Sequence, residues 1–186
     1  RPTPEHSVEE QLQSYAIKRM ERFISGTLGK RMIGWEEILE GGLPEDATVM
    51  SWKGTECGAK AAATGHDVVM ASMADGLYLC AAQGADEVEP AAMGGQSYLK
   101  DVYDFEPLPK ELAPDKRKHV IGTQACLWSE WTPSGELLEY MLYPRTMALA
   151  ETALMSTSPV TVADSKSKSR WACRRSSRSR SRSFCS

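Results

Sequence analysis

The 186-residue chain is 41% apolar and 25% charged, with a net charge of −3, the composition of a globular domain long enough to bury one sizeable core. No run approaches the roughly 20 apolar residues that a membrane span requires. The opening "RPTPEHSVEE" lacks the charged-then-apolar layout of a signal peptide, so the start reads as internal to something longer. Five cysteines, at Cys57, Cys80, Cys126, Cys173 and Cys185, are odd in number and form no CxxC pair, which favours neither a zinc site nor a complete disulfide framework.

Taken in chain order, Ser7 and Glu10 fit a capping box, and Val8, Leu12, Tyr15, Met20 and Phe23 recur at helical spacing, which predicts a helix over residues 8–25. The stripe is continued by Ala16 beside Tyr15 and Ile24 beside Phe23. The apolar run "KRMIGW" ends at Trp35 and reads as a strand. "EEILEGG" after it reads as a brief helix stopped by Gly41 and Gly42. Adjacent helix positions point in different directions, so Glu36 and Glu37 are expected to begin that helix and favour its dipole, not to act as an acid and base on one substrate. "ATVMSW" is a second strand ending at Trp52, followed by an Ala-rich helix closed by Gly65, and "HDVVMAS" is a third. A Gly- and Pro-containing segment from Met73 to Pro114 is long enough to predict a functional insertion. "KHVIGTQACLWSEW" gives a fourth strand ending near Trp128, and the closing helical segment is expected to be divided at Pro144.

Four near-continuous apolar runs, each followed by a helix or a long loop, predict an α/β fold with parallel strands covered by helices. Trp35, Trp52 and Trp128 all fall at the C-terminal ends of their strands, where a β/α barrel gathers its active site. His66 and His119 open their strands and belong to the opposite, structural face.

From Lys166 the chain carries eight Lys or Arg and no acid, which leaves 14 basic against 25 acidic residues in the body. The predicted organisation is a domain over residues 1–155 and a Ser/Arg-rich, low-complexity tail over 156–186. That tail is too poor in apolar residues to fold, and its charge suits phosphate-bearing partners.

The stretches "RMIGWEEILEGGLPEDATVMSWKG", "GHDVVMAS…YLCAAQ", "VYDFEPLP" and "IGTQACLWSEW…EYMLYPRTMALAE" resemble the second half of the catalytic barrel of glycoside hydrolase family 20, the β-N-acetylhexosaminidases. The resemblance implies strands five to eight of a (β/α)8 TIM barrel and a retaining, substrate-assisted hydrolysis of terminal N-acetyl-β-hexosamine, in which the 2-acetamido oxygen attacks the anomeric carbon. It implies Trp35, Trp52 and Trp128 as the walls of the acetamido pocket, Tyr78 as the donor to the acetamido oxygen, and Glu130 as an acceptor of hydrogen bonds from the sugar hydroxyls. The expected partner is a glycan with a terminal N-acetylhexosamine. No cofactor, metal or membrane is expected, a nucleic-acid partner is disfavoured, and self-association of the half-barrel is expected. The family is lysosomal, periplasmic or secreted, and the chain itself does not indicate a compartment.

The departures from the family concern the proton-transfer machinery. Its His-x-Gly-Gly-Asp-Glu signature, which carries the general acid and an Asp partner, occurs nowhere in the chain, and the Arg of its first strand is missing too. Cys80 stands where the family tends to have an Asp, and Cys126 where Asn is common. The sequence therefore predicts part of a β-N-acetylhexosaminidase that is inactive alone. The alternatives are a non-catalytic carbohydrate-binding protein and an RNA-associated protein acting through its tail.

Overall fold

A computed structural model of the chain describes residues 7–84 and 89–157. Residues 1–156 form one unit and 157–186 a second; the basic tail from 158 onward lies outside the described residues.

The first helix, α1 (Val8–Gly26), starts with the expected capping box: the Ser7 hydroxyl accepts from the Glu10 backbone N–H, and the Glu10 carboxylate accepts from the Ser7 N–H at 2.8 Å. The strands are β1 (Ile33–Trp35), β2 (Thr48–Ser51), β3 (Val68–Met70), β4 (Ala81–Ala82), β5 (Met93–Gln96) and β6 (Val120–Thr123). Four of them form one parallel sheet in the order β1-β2-β3-β6, with Gly34 opposite Val49, Val49 opposite Val68, and Val68 opposite Val120. All four residues of β2 are buried, as a strand covered on both faces should be. Helix α2 (Glu56–Thr64) returns the chain from β2 to β3, burying Ala61 and Ala62. It is closed by Gly65 at φ 97°, a left-handed cap that costs glycine nothing.

The insertion after β3 holds structure of its own: β4 and β5 pair as a small parallel sheet, and α3 (Leu99–Asp104) follows. The closing helical segment is divided at Pro144 as expected, into α4 (Gly135–Leu142) and α5 (Arg145–Thr157). Val49, Val68 and Met70 from the sheet, with Leu77, Leu79 and Leu149, lie in the core.

In one place the packing differs from the pattern read in the sequence. The apolar stripe of α1 does not meet the core: Val8, Leu12, Tyr15, Met20 and Phe23 are exposed, Leu12 at 62%. The helix docks instead through Ile17, which packs against the core, and through polar contacts beside it, with Gln13 Nε2 donating to the Glu37 carbonyl at 2.7 Å and the buried Ser14 hydroxyl donating to the Gly42 carbonyl at 3.0 Å. Periodicity identifies an apolar stripe but not what covers it. The sheet ends in half-exposed strands, as expected of first and last strands without partners, with Ile33 on β1 and Ile121 on β6 each 52% exposed.

Candidate active site

The C-terminal ends of the strands gather the aromatic side chains. Trp35 is the last residue of β1, Trp52 directly follows β2, and Trp128 lies five residues beyond β6. Tyr78 comes from the insertion, and its backbone forms a parallel bridge with Cys126. Flanking bonds from Leu79 N to the Cys126 carbonyl and from Cys126 N to the Leu77 carbonyl, both 2.8 Å, fix it there. The Trp52 and Tyr78 rings are 6.0 Å apart between centroids, and those of Trp35 and Trp128 are 6.4 Å apart. These are spacings at which tilted aromatic pairs attract. Burial, with the neighbouring Cys126 thiol, pushes the Tyr78 phenol above its ordinary value against an opposing hydrogen bond from the Trp128 side chain. At neutral pH Tyr78 is therefore a neutral hydroxyl able to donate.

Glu130 occupies a short 3-10 turn (Ser129–Trp131) beyond Trp128 and is exposed. Cys80 is buried, with its thiol 3.8 Å from the Met93 sulfur. Both sulfurs border a cavity of about 230 Å³ that Tyr78, Met73, Gln96 and Ser97 also line. The segment carrying Tyr78 and Cys80 is stapled from behind by Arg145, which is fully buried and donates to the carbonyls of Leu79 (2.7 Å), Ala81 (3.1 Å), Ser97 (2.9 Å) and Met141 (2.6 Å). Burial pushes the Arg145 guanidinium down to about 10, which leaves it charged at neutral pH. Sequence reading passed over Arg145 because its acceptors lie up to 66 positions away.

The glutamates after Trp35 begin a short helix as expected, and they also make contacts that local helix rules do not reveal. They form a 3-10 turn (Glu36–Leu39), and both turn to Trp52. Glu36 is 4% exposed and accepts from the backbone N–H of Trp52 at 3.0 Å and of Lys53 at 3.4 Å. The Glu37 carboxylate accepts the Trp52 indole N–H at 3.0 and 3.3 Å. The Lys53 ammonium lies 3.1 Å from Glu37 and 3.7 Å from Glu36. Burial raises the Glu37 pKa, but hydrogen bonds from its own backbone, Lys53 and Trp52 outweigh it, and the net direction is down. On the opposite side of the sheet His119 Nδ1 sits 3.3 Å from Asp67, which also pairs with Arg31 at 2.5 Å. His66 Nδ1 contacts the Thr64 hydroxyl. Both histidines are thus in structural settings, away from the aromatic cluster.

A parallel α/β sheet that collects aromatic rings, a phenol and carboxylates at the carboxyl ends of its strands defines a pocket-bearing domain, since ligands bind at that edge of such sheets. The profile of the glycosyl hydrolase family 20 catalytic domain matches residues 3–156, and the chain belongs to that family. It is 51% identical over 143 residues to a beta-hexosaminidase of Porphyromonas gingivalis, covering 77% of this chain and 18% of that protein. With a beta-hexosaminidase of Vibrio furnissii it shares 33% identity over 152 residues, covering 80% and 24%. Among solved structures it superposes, with TM-score 0.71 and 30% identity, on the family 20 exo-β-N-acetylglucosaminidase of Vibrio harveyi in complex with N-acetylglucosamine, covering 89% of this chain and 26% of that one. The chain thus spans about a quarter or less of the length of each of these relatives.

Proposed function

We propose that this chain supplies the second half, strands five to eight, of the (β/α)8 catalytic barrel of a β-N-acetylhexosaminidase, and with it the part of the pocket that grips the 2-acetamido group of the sugar. The observation that carries this reading is the convergence of Trp35, Trp52, Tyr78 and Trp128, drawn from three strands and an insertion, at the carboxyl ends of the sheet. Four parallel strands are half of the eight that close such a barrel. The half-exposed edges β1 and β6 and the bare stripe of α1 are the surfaces that the other half would cover.

In this reading the tryptophans enclose the acetamido methyl, the Tyr78 hydroxyl donates to the acetamido oxygen, and Glu130 accepts from the ring hydroxyls. The oxygen held by Tyr78 attacks the anomeric carbon while an acid protonates the leaving group. Water then opens the resulting ring at the same carbon, so two inversions give retention. The acid belongs to the Asp-Glu signature that this chain does not contain. Losing a general acid forfeits roughly 10²- to 10⁴-fold in rate, so the chain alone is expected to show no turnover of aryl N-acetyl-β-glucosaminides. The substrate class is a glycan ending in β-linked N-acetylglucosamine or N-acetylgalactosamine.

The test is to join a family first half, with its Asp-Glu pair, to residues 1–157 and follow the first product by NMR. Retained configuration is expected, and substrates lacking the 2-acetamido group should be almost inert. An inverted product, or equal cleavage of glucosides, would contradict the acetamido mechanism. The aromatic set stands here without the acid signature, which favours as a second reading a carbohydrate-binding role without catalysis. Sugar binding with no turnover in the joined protein would select that reading.

A further inference from the structure

Trp52 follows a strand whose four residues are all buried, so its backbone is fixed by the sheet, while its side chain lies at the half-buried margin where the indole could turn toward water. Two adjacent glutamates from the neighbouring strand end take the two N–H groups of this one residue. Glu36 holds the backbone N–H at 3.0 Å, and Glu37 holds the indole N–H between its two oxygens at 3.0 and 3.3 Å. A 3-10 turn makes this possible, because its three residues per turn send successive side chains about 120° apart, one into the core and one along its rim. Lys53 completes the arrangement: its ammonium lies near both carboxylates and 5.4 Å from the centre of the Trp52 ring, which offsets their mutual repulsion. Charge-assisted hydrogen bonds of this kind are about twice as strong as neutral ones.

We propose that Glu37 is a positioning residue that fixes the plane of the Trp52 ring facing Tyr78, while Glu36 and Lys53 hold the backbone and the charge balance around it. The consequence for sugar binding rests on the reading of Trp52 as a pocket wall. With Glu37 truncated, the ring is free to distribute over its three staggered χ1 wells while the backbone stays held by Glu36. If about a third of the population keeps the binding orientation, sugar affinity falls about threefold.

The experiment uses the full 186-residue chain labelled with ¹⁵N, with the Trp52 indole resonance assigned by its loss in Trp52→Phe. Two variants are compared with the wild type: Glu37→Ala, which removes the acceptor, and Glu37→Gln, which keeps an oxygen for the indole but loses the charge. Far-UV circular dichroism checks that both remain folded. The expected result is rapid solvent exchange and increased motion of the Trp52 indole N–H in Glu37→Ala, with protection largely restored in Glu37→Gln. N-acetylglucosamine affinity should fall about threefold in the first and be largely rescued in the second. An indole N–H as protected in Glu37→Ala as in the wild type would overturn the proposal. So would a freed indole with unchanged sugar affinity in a protein whose binding Trp52→Phe weakens. Absence of sugar binding in the wild type itself would count against the pocket reading, and the indole readout would still decide the role of Glu37.

Discussion

Tyr78 is a neutral hydroxyl at neutral pH, since burial only raises its pKa further, and in the proposed reading it donates to the acetamido oxygen and holds it in line with the anomeric carbon. In the joined enzyme Tyr78→Phe should therefore lower kcat by about 10²-fold, the size that a small misplacement of a reacting group costs, with a smaller change in KM. Steady-state kinetics separate the two, and a loss confined to KM would contradict the role. On the far side of the sheet Asp67 is held below the usual carboxylate range by hydrogen bonding to Arg31, opposed by burial and aided by His119. A depressed carboxylate contributes stability above its unfolded pKa of about 3.9 and loses it as pH falls through the lower folded value. Arg31 is largely exposed, so Arg31→Ala should cost only about 0.5 kcal/mol near neutral pH, and the difference between variant and wild type should shrink below about pH 4. Thermal melts across pH 2.5–7 check this; a difference that grows on acidification would contradict it.

Helix α1 illustrates how an element can be legible while its packing is not. Its length, its capping box and its apolar stripe could all be read from local spacing, as could the division at Pro144 and the alternation of strand and helix. What the stripe meets could not, because the docking contacts of Gln13 and Ser14 are made 24 and 28 positions away, through backbone carbonyls that carry no sequence signal. The same holds for Glu36 and Glu37. Their partner lies 15 or 16 positions further on, at the end of another strand, and local helix rules assigned them only the start of a turn. That Trp35 and Trp52 stand at the ends of strands was legible in the apolar runs, whereas Tyr78 lies in the irregular insertion and only the family motif points to it. Gly41 permits the close approach of α1: its φ is 71°, and a Cβ there would fall 2.3 Å from the Glu10 carbonyl oxygen. Gly41→Ala should force α1 away from the domain, with faster hydrogen exchange over residues 8–26 and a loss of roughly 1–3 kcal/mol in stability. Unchanged exchange in α1 would mean that the helix is held elsewhere.

For the molecule as a whole, the open sheet is the dominant physical fact. Half-exposed parallel edges at β1 and β6, together with the uncovered stripe of α1, expose the kind of surface that pairs with another chain. The isolated chain should therefore self-associate at micromolar concentration. Ile33→Lys combined with Ile121→Lys should shift it toward monomer, because a charge on an edge strand opposes pairing. Light scattering after size exclusion gives the mass directly; a wild-type chain that is monomeric and unfolds in one sharp transition would contradict the half-barrel account. The aromatic cluster does not depend on that outcome, since its rings are placed by contacts within residues 35–128.

The most direct measurement of the central claim is a titration of the labelled chain with N-acetylglucosamine and, separately, with glucose, following the indole resonances of Trp35, Trp52 and Trp128. If these rings form the wall of an acetamido pocket, N-acetylglucosamine should shift all three in one saturable transition, Tyr78→Phe should weaken that binding, and glucose should leave them unmoved. Equal responses to both sugars, or shifts confined to residues away from the strand ends, would contradict it.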